Sequence, residues 1–288
     1  MASSGPTRRD RPCEAQLLPR VAAARDQAAV PPAAVVSATR MRLKEILNRL
    51  NSSFRSVFTA TQAMIWWPRF SLTSFRMVSG LVRQGIVAST VLDIGANTGQ
   101  FAVAAAKLMH AKEVHCFEPH PACQQTLSRL RAGLPCLVLH PCGLGEQPGV
   151  LDFHMNAHSH SSSFLRLGEK HRQAFPAARE VSVIPVRVST LDDECAGLQL
   201  AEPVLIKIDV QGFEPAVIRG ARATLSRVEY VVVETSLRNL YDGEMLFPEF
   251  MTLMNSFGFD FARPVGFLAD PRTAEILQID ALFVRSKL

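Results

Sequence analysis

Three short stretches set carboxylates at the ends of apolar runs, two of them beside glycine turns, at spacings suited to holding a charged ligand and a reacting hydroxyl. In Val91–Phe101, Asp93 stands two places before Gly95, and Gly95-Ala96-Asn97-Thr98-Gly99 separates an apolar run from a helical one. Glycine reaches backbone angles closed to other residues, so Gly95 suits a tight turn and Gly99 a close approach to a ligand. In an open α/β sheet such a turn lies at the carboxyl ends of the strands, where ligands bind. The dinucleotide fingerprint G-x-G-x-x-G is not met, because Asn97 and Gln100 stand where glycines would be. Glu118 ends the next apolar run, 19 residues past Gly99. A carboxylate there can accept hydrogen bonds from ribose hydroxyls. The third stretch is Val204-Leu-Ile-Lys-Ile-Asp-Val-Gln-Gly-Phe-Glu214. Strand side chains alternate, so Lys207 and Asp209 share one face at a strand end. From there Asp209 can take a proton from an attacking hydroxyl, or position it. Glu214 either faces a substrate or caps the next helix, whose N-terminus favours negative charge.

Other residues offer weaker chemistry. His154, His158, His160 and His171, four of the eight histidines, crowd one region. Their spacing matches no zinc motif, so no metal site is assigned. One of them could act as a general base, since imidazole titrates near neutrality. Ser161, Ser162 and Ser163 can hydrogen-bond a cofactor or substrate, and Glu234, which ends the run VVVE, can face the same cleft. We assign Ser162, Ser163 and Glu234 to the substrate side. Tyr241 and Asp242 belong to a nearby substrate loop.

The elements that must position these residues alternate. Strands are expected at Val91–Ile94, Val114–Phe117, Cys136–His140, Val204–Ile208 and Tyr230–Val233, with closing strands at Phe259–Ala262 and Ile279–Val284. Helices are expected at Phe101–Met109, Pro121–Arg131, Pro215–Leu225 and Phe247–Phe257. This order predicts a largely parallel sheet covered on both faces. An insertion at about 145–200 carries two further strands, Val150–His154 and Val181–Val188.

The acidic residue before the first glycine is the loose D-x-G-x-x-x-G pattern of class I S-adenosylmethionine methyltransferases. Together, VLDIGANTGQF, CFEPHP and LIKIDVQGFEPAVIRGA resemble the FkbM family of methyltransferases over about residues 90–285. The family's K-I-D-x-[QE]-G-[FY]-E block is matched by KIDVQGFE, and GLGEQPGVLDF, HSHSSSFL and IDALFVRS resemble its later segments. The resemblance implies a Rossmann-like class I fold with a mostly parallel seven-stranded sheet, helices on both faces and an antiparallel last strand. It implies S-adenosylmethionine as cofactor and O-methylation of a hydroxyl on a sugar, glycolipid or secondary metabolite. By motif, Asp93, Gly95, Ala96, Asn97 and Gly99 would surround the methionine part, Glu118 the ribose, and Cys142 and Gly143 the adenine. Asp209 and Glu214 would face the acceptor. The readings from other classes are a nicotinamide oxidoreductase and a non-catalytic module keeping the cofactor fold.

Composition sets the outer limits. Of the 288 residues 48% are hydrophobic and 20% charged, a globular balance that excludes a wholly disordered chain or a coiled coil. Six cysteines without a C-x-x-C pair point to a reducing, cytoplasmic setting. Residues 1–90 hold 13 Lys and Arg against 4 Asp and Glu, whereas residues 91–288 hold 18 against 22. The basic excess thus lies outside the catalytic body, which argues against nucleic acid as partner. Residues 1–40, rich in Ala, Pro and Arg, read as a disordered tail, a transit peptide or a reading frame extended upstream of Met41. Residues 41–88 read as a helical cap, with peripheral membrane contact through 41–70 as the alternative to packing on the core. No apolar run is long enough to span a bilayer.

Overall fold

Parallel strands covered on both faces should read as near-continuous apolar runs whose alternate residues feed two separate cores. The computed structural model, which describes residues 71–286 apart from 158 and 176, has this pattern. Val91, Leu205, Val232 and Leu282 pack into one core, while their chain neighbours Leu92, Ile206, Val231 and Phe283 pack into the other. The first core is closed by α1 (Leu72–Arg83), α2 (Gln100–Ala104) and α3 (Pro121–Arg131). The second is closed by α6 (Glu214–Arg219), α7 (Arg222–Leu225) and α8 (Phe247–Ser256).

The sheet has seven strands: β1 (Thr90–Ile94), β2 (Glu113–Phe117), β3 (Leu137–His140), β7 (Val204–Ile208), β8 (Tyr230–Ser236), β9 (Phe259–Ala269) and β10 (Ile276–Arg285). Their spatial order is β3-β2-β1-β7-β8-β10-β9. Pairing is parallel from β3 through β8, and β10 runs antiparallel to both its neighbours. This is the mostly parallel seven-stranded sheet with an antiparallel last strand that the sequence implied. The strand order reverses between β1 and β7, the place where open α/β sheets bind ligands. Both Gly95 and Asp209 sit just past that edge.

Between β3 and β7 the chain builds a second sheet, in the order β4-β6-β5, from β4 (Gly143–Leu144), β5 (Gly149–Asn156) and β6 (Glu180–Ser189). The 3-10 turn Ser159–Ser161 and α4 (Glu169–Ala174) hang from it, and α5 (Leu191–Cys195) follows, capped by the Thr190 hydroxyl on the Asp193 N–H. α1 lays Phe75, Val78 and Leu81 into the first core. The readings of residues 1–40, of residues 41–70 and of His158 lie outside the described residues.

Three elements differ from expectation. The helix expected at 101–109 is α-helical only over Gln100–Ala104 and continues as a π-helix over Ala105–Met109. The helix expected at 215–225 is two short helices, because Gly220 lies against Gly145: a Cβ there would stand 2.0 Å from the Gly145 carbonyl oxygen. The strand expected at 259–262 continues to Ala269, since β10 supplies an antiparallel partner along its whole length.

Candidate active site

Strand register sets the charges. β1 pairs Asp93 with Lys207 of β7, and β8 pairs Glu234 with Asp280 of β10. With period 2 these four residues and Asp209 line up on one face at the carboxyl edge. Lys207 is buried, with Nζ 3.2 Å from Asp209 Oδ2 and 3.7 Å from Asp280 Oδ1. Burial would raise the Asp209 pKa, but the Lys207 ammonium and the Gln211 amide outweigh it and hold it below the ordinary carboxylate value. In the other carboxyls burial outweighs the partners they have. Burial pushes Asp93 up to about 7, and one of its oxygens, Oδ2, has no hydrogen-bond partner among the described residues. Burial also raises Glu234 strongly and Asp280 to a lesser degree.

The turn after β1 carries the next group. Gly95 adopts φ +78°, and a Cβ there would lie 1.9 Å from the Asp209 carbonyl oxygen, so the β1 and β7 turns touch through this glycine. Asn97 is also left-handed, at φ 49°. Its N–H donates to Glu118 Oε2 at 2.7 Å, and the His120 N–H donates to Oε1 at 2.7 Å. Glu118 is 4% exposed, and burial lifts its pKa to about 7 against those two N–H groups. Gly99, also left-handed, turns its Cα toward Leu127 and Leu130 of α3 rather than toward a cleft. Its place is explained by helix packing instead of the close ligand approach expected for it.

These elements border three connected clefts. One, of about 550 Å³, is lined by Gly95, Asn97, Phe117, Glu118, Cys142, Gly143, Phe153, Ser162, Phe164 and Asp209. A Cβ on Gly143 would stand 2.4 Å from the Phe164 ring, so glycine there makes room for that aromatic wall. His140 stacks on the back of Phe117 with ring centroids 4.3 Å apart. The second cleft holds Asp93, Gly95, Ala96, Asn97 and the acidic row around Lys207. The third lies on the side of α4 and β10 and includes His171, Gln211, Glu234 and Gln278. Asp209 and His160 border all three.

Glu214 lines none of these clefts. It is buried, and its Oε1 accepts the N–H groups of Val210 at 3.0 Å and Gly212 at 3.1 Å. Its carboxylate therefore fixes the β7–α6 loop and does not face an acceptor, as was expected of it. The two serines divide similarly. Ser162 walls the first cleft while accepting the Asn156 N–H. Ser163 donates to the Gln211 carbonyl at 2.8 Å and ties the insertion to the Asp209 loop.

Gln211, Gln278 and Asp280 escaped the sequence reading. Gln211 Nε2 donates to Asp209 Oδ1 and to Glu234 Oε2, each at 2.7 Å, and the Tyr241 hydroxyl donates to its Oε1 at 2.5 Å. Gln278 Nε2 donates to Glu234 Oε2 at 3.2 Å. The available signal was a polar residue at every second place, Gln278 and Asp280, in an otherwise apolar closing strand. Among the described residues no group of three or more His, Cys, Asp or Glu is arranged to hold a metal ion.

The chain matches the Methyltransferase FkbM domain over residues 93–261. It is 29% identical over 196 residues to the 2-O-methyltransferase NoeI of Sinorhizobium fredii, covering 66% of this chain and 80% of that protein. It is 27% identical over 199 residues to the methyltransferase sdnD of Sordaria araneosa, covering 60% and 74%. Among solved structures, magnesium protoporphyrin IX methyltransferase from Synechocystis PCC 6803 superposes with a TM-score of 0.43 at 14% identity, over 74% of this chain and 78% of that one.

The residues present fit S-adenosylmethionine. A carboxylate has about four acceptor sites, and the two main-chain donors on Glu118 leave room for two ribose hydroxyls. Phe117, Phe153 and Phe164 supply flat apolar walls for a base. The unpartnered Asp93 oxygen, in a row with more carboxyls than cations, suits an ammonium group. Cys142 and Gly143 add small, buried surfaces to the same cleft. With these groups gathered at the switch point of the sheet, the chain belongs to the FkbM family of S-adenosylmethionine-dependent methyltransferases.

Proposed function

We propose that the protein transfers a methyl group to a hydroxyl oxygen of a small molecule or glycan, with Asp209 orienting the acceptor. The observation that carries this reading is the position of Asp209, which borders the nucleoside cleft on one side and the α4–β10 cleft on the other. The name of the relative NoeI, a 2-O-methyltransferase, supports oxygen as the acceptor atom.

When bound, S-adenosylmethionine supplies a methyl carbon on a positively charged sulfur, which keeps the C–S bonding pair as the acceptor oxygen bonds to carbon. The residues of the chain do the rest. Lys207 keeps Asp209 ionised, and Gln211 fixes the direction of its Oδ1. An ionised carboxylate with a fixed direction accepts the hydroxyl hydrogen and turns an oxygen lone pair toward the cofactor cleft, and takes the proton as the new bond forms. Glu118 would hold the ribose, and the Gly95–Asn97 turn would hold the methionine part of the cofactor beside Asp209.

The same reading assigns residues 89–288 to the catalytic domain and residues 145–200 to an insertion that shapes the acceptor side. It places the protein in the cytoplasm without a nucleic-acid partner. Support comes from the unpaired state of the five cysteines among the described residues, and from Lys207, the one lysine among the described residues of these clefts, which is buried among carboxylates. Among the described residues no helix is long and apolar enough to cross a membrane. The test is transfer of labelled methyl from S-adenosylmethionine to polyhydroxylated acceptors, with the product bond identified by mass spectrometry. A methyl ether is the expected product, and label found only on nitrogen or carbon would overturn the oxygen assignment.

A further inference from the structure

The direction of Asp209 depends on one amide, and a side-chain amide can turn over. Gln211 Nε2 directs its two hydrogens to Asp209 Oδ1 and Glu234 Oε2, each at 2.7 Å. Turned over, the amide would set its oxygen against Asp209 and withdraw that donor. Glu234 does not choose between the two arrangements. Burial raises its carboxyl strongly, and a protonated carboxyl donates as well as accepts. Lys207 does not choose either, since it bonds to the other oxygen, Oδ2. An ionised Asp209 favours the amide donor and a protonated one tolerates the amide oxygen, so amide orientation and Asp209 ionisation are coupled. Whatever faces Gln211 Oε1 tips both, and that group is the Tyr241 hydroxyl, at 2.5 Å.

Tyr241 is 1% exposed and borders none of the three clefts, so it meets neither cofactor nor acceptor. Burial, with Glu234 and Asp209 nearby, holds its phenol above the ordinary value and keeps it a donor. The other acceptor in reach, the Ser161 carbonyl at 3.4 Å, already takes the Asn156 amide. The Tyr241 side chain also packs on the Asp209 loop: a Cβ on Gly212 would stand 3.1 Å from the Tyr241 Cβ. The insertion holds Tyr241 in turn. The Gly168 N–H donates to the Leu240 carbonyl at 2.7 Å, and the Asp242 N–H donates to the Arg166 carbonyl at 3.0 Å. The backbone on both sides of Tyr241 is thus bonded to residues 166–168. The approach is close enough to need glycine, since a Cβ on Gly168 would stand 2.8 Å from the Leu240 carbonyl oxygen.

We propose, resting on the role given to Asp209 above, that Tyr241 is a positioning residue: it fixes which end of the Gln211 amide faces Asp209. Through it the direction of the catalytic carboxylate depends on the insertion, which grips Tyr241 from residues 166–168. Tyr241 touches no reacting atom and acts only through Gln211. With its hydroxyl in place the amide nitrogen stays on Asp209. Without it the amide turns over, and Asp209 loses a donor and takes up protons more readily.

The test follows the Asp209 titration itself, by carbon NMR of the ligand-free full chain enriched at aspartate, with Asp209→Asn to identify the signal. Tyr241→Phe keeps the ring and frees Oε1, so Asp209 should titrate at higher pH. Gln211→Met should raise it at least as far. Adding Tyr241→Phe to Gln211→Met should then change it no further, because the tyrosine acts through the amide. A tyrosine that merely packs the loop would leave the titration in place. Gly168→Ala reaches the same point from the insertion. Position 168 has φ −73°, which suits alanine, and the added methyl pushes the Leu240–Tyr241 backbone away. It too should raise Asp209, and it decides the matter if Tyr241→Phe does not fold. An unmoved titration in folded Tyr241→Phe or Gly168→Ala, or a further shift in the double variant, would overturn the proposal. Labelled methyl transfer to polyhydroxylated acceptors keeps the two readings apart. In Tyr241→Phe, kcat should fall about tenfold, with the calorimetric Kd for S-adenosylhomocysteine within about twofold of wild type. A raised Asp209 with unchanged kcat keeps Tyr241 as its positioning residue and removes Asp209 from the chemistry. An unmoved Asp209 removes only the role of Tyr241.

Discussion

Asp209 accepts hydrogen bonds from Lys207 at 3.2 Å and from Gln211 at 2.7 Å, so its carboxylate has both a fixed direction and a reduced affinity for protons. Asp209→Asn keeps the shape and removes the charge. Since a positioned acid–base group contributes about 10²–10⁴-fold, kcat should fall at least about 100-fold, while the cofactor Kd from calorimetry changes little. A Kd that weakens as far as kcat falls would move Asp209 to cofactor binding alone. The pH dependence follows from the sign of the shift. A carboxyl held low is ionised throughout the neutral range, so kcat at saturating cofactor and acceptor should be flat there and decline only on acidification below the ordinary carboxylate value. Lys207→Met removes the main counterweight to burial and raises Asp209, so the acid limb of the kcat profile should move upward, toward neutrality. An unmoved limb in a variant whose circular dichroism is native would deny Lys207 this role.

At the level of elements, the β1 and β7 turns are built against each other. Gly95→Ala would put a methyl group 1.9 Å from the Asp209 carbonyl oxygen, at a φ of +78° that side chains rarely adopt. Left-handed backbone alone costs roughly 1–2 kcal/mol in a residue with a side chain, and the overlap forces the Asp209 loop to move. Chemical denaturation should show a loss on the order of 3 kcal/mol, together with lost cofactor binding, and a native-like value would mean the turns yield easily. Most of this frame was legible in the sequence, because continuous apolar runs such as VLIKI and VVV need cover on two faces, Glu118 and Asp209 end such runs, and Asp93 stands one place before the end of another. What stayed hidden depends on contacts between distant segments. Gly220 ends α6 because of Gly145, 75 residues earlier. Glu214 turns into its own loop because Gln211 and Gly212 are left-handed and leave buried N–H groups to satisfy. Gln278 and Asp280 reach the site only through the antiparallel return of β10 beside β8. No local spacing announces a partner 40 residues away.

Across the whole molecule the site concentrates buried acids that the ligand-free protein holds at a cost. Burial lifts Asp93, Glu118 and Glu214 each to about 7. A carboxyl raised in the folded state keeps its proton longer than in the unfolded chain, so its contribution is full below the ordinary carboxylate value and is lost as pH rises through about 7. The buried and half-buried histidines work in the opposite sense: desolvation lowers His115, His120 and His140, and takes His171 to about 4. Their effect is complete once the pH passes the ordinary imidazole value of 6.5. Above that point the carboxyls act alone, and the ligand-free Tm should fall between about pH 6.5 and 8. Glu214→Gln retains an oxygen for the Val210 and Gly212 N–H groups and removes one titrating acid, so its Tm should fall less over that interval. Cofactor binding should counter the same loss, because an ammonium beside Asp93 and hydroxyls on Glu118 favour the ionised acids. S-adenosylmethionine affinity should therefore rise across this range with release of protons, read by calorimetry in buffers of different ionisation enthalpy. Affinity independent of pH, with no proton exchanged, would show that these acids do not meet the cofactor, and would return Asp93 and Glu118 to a purely structural role.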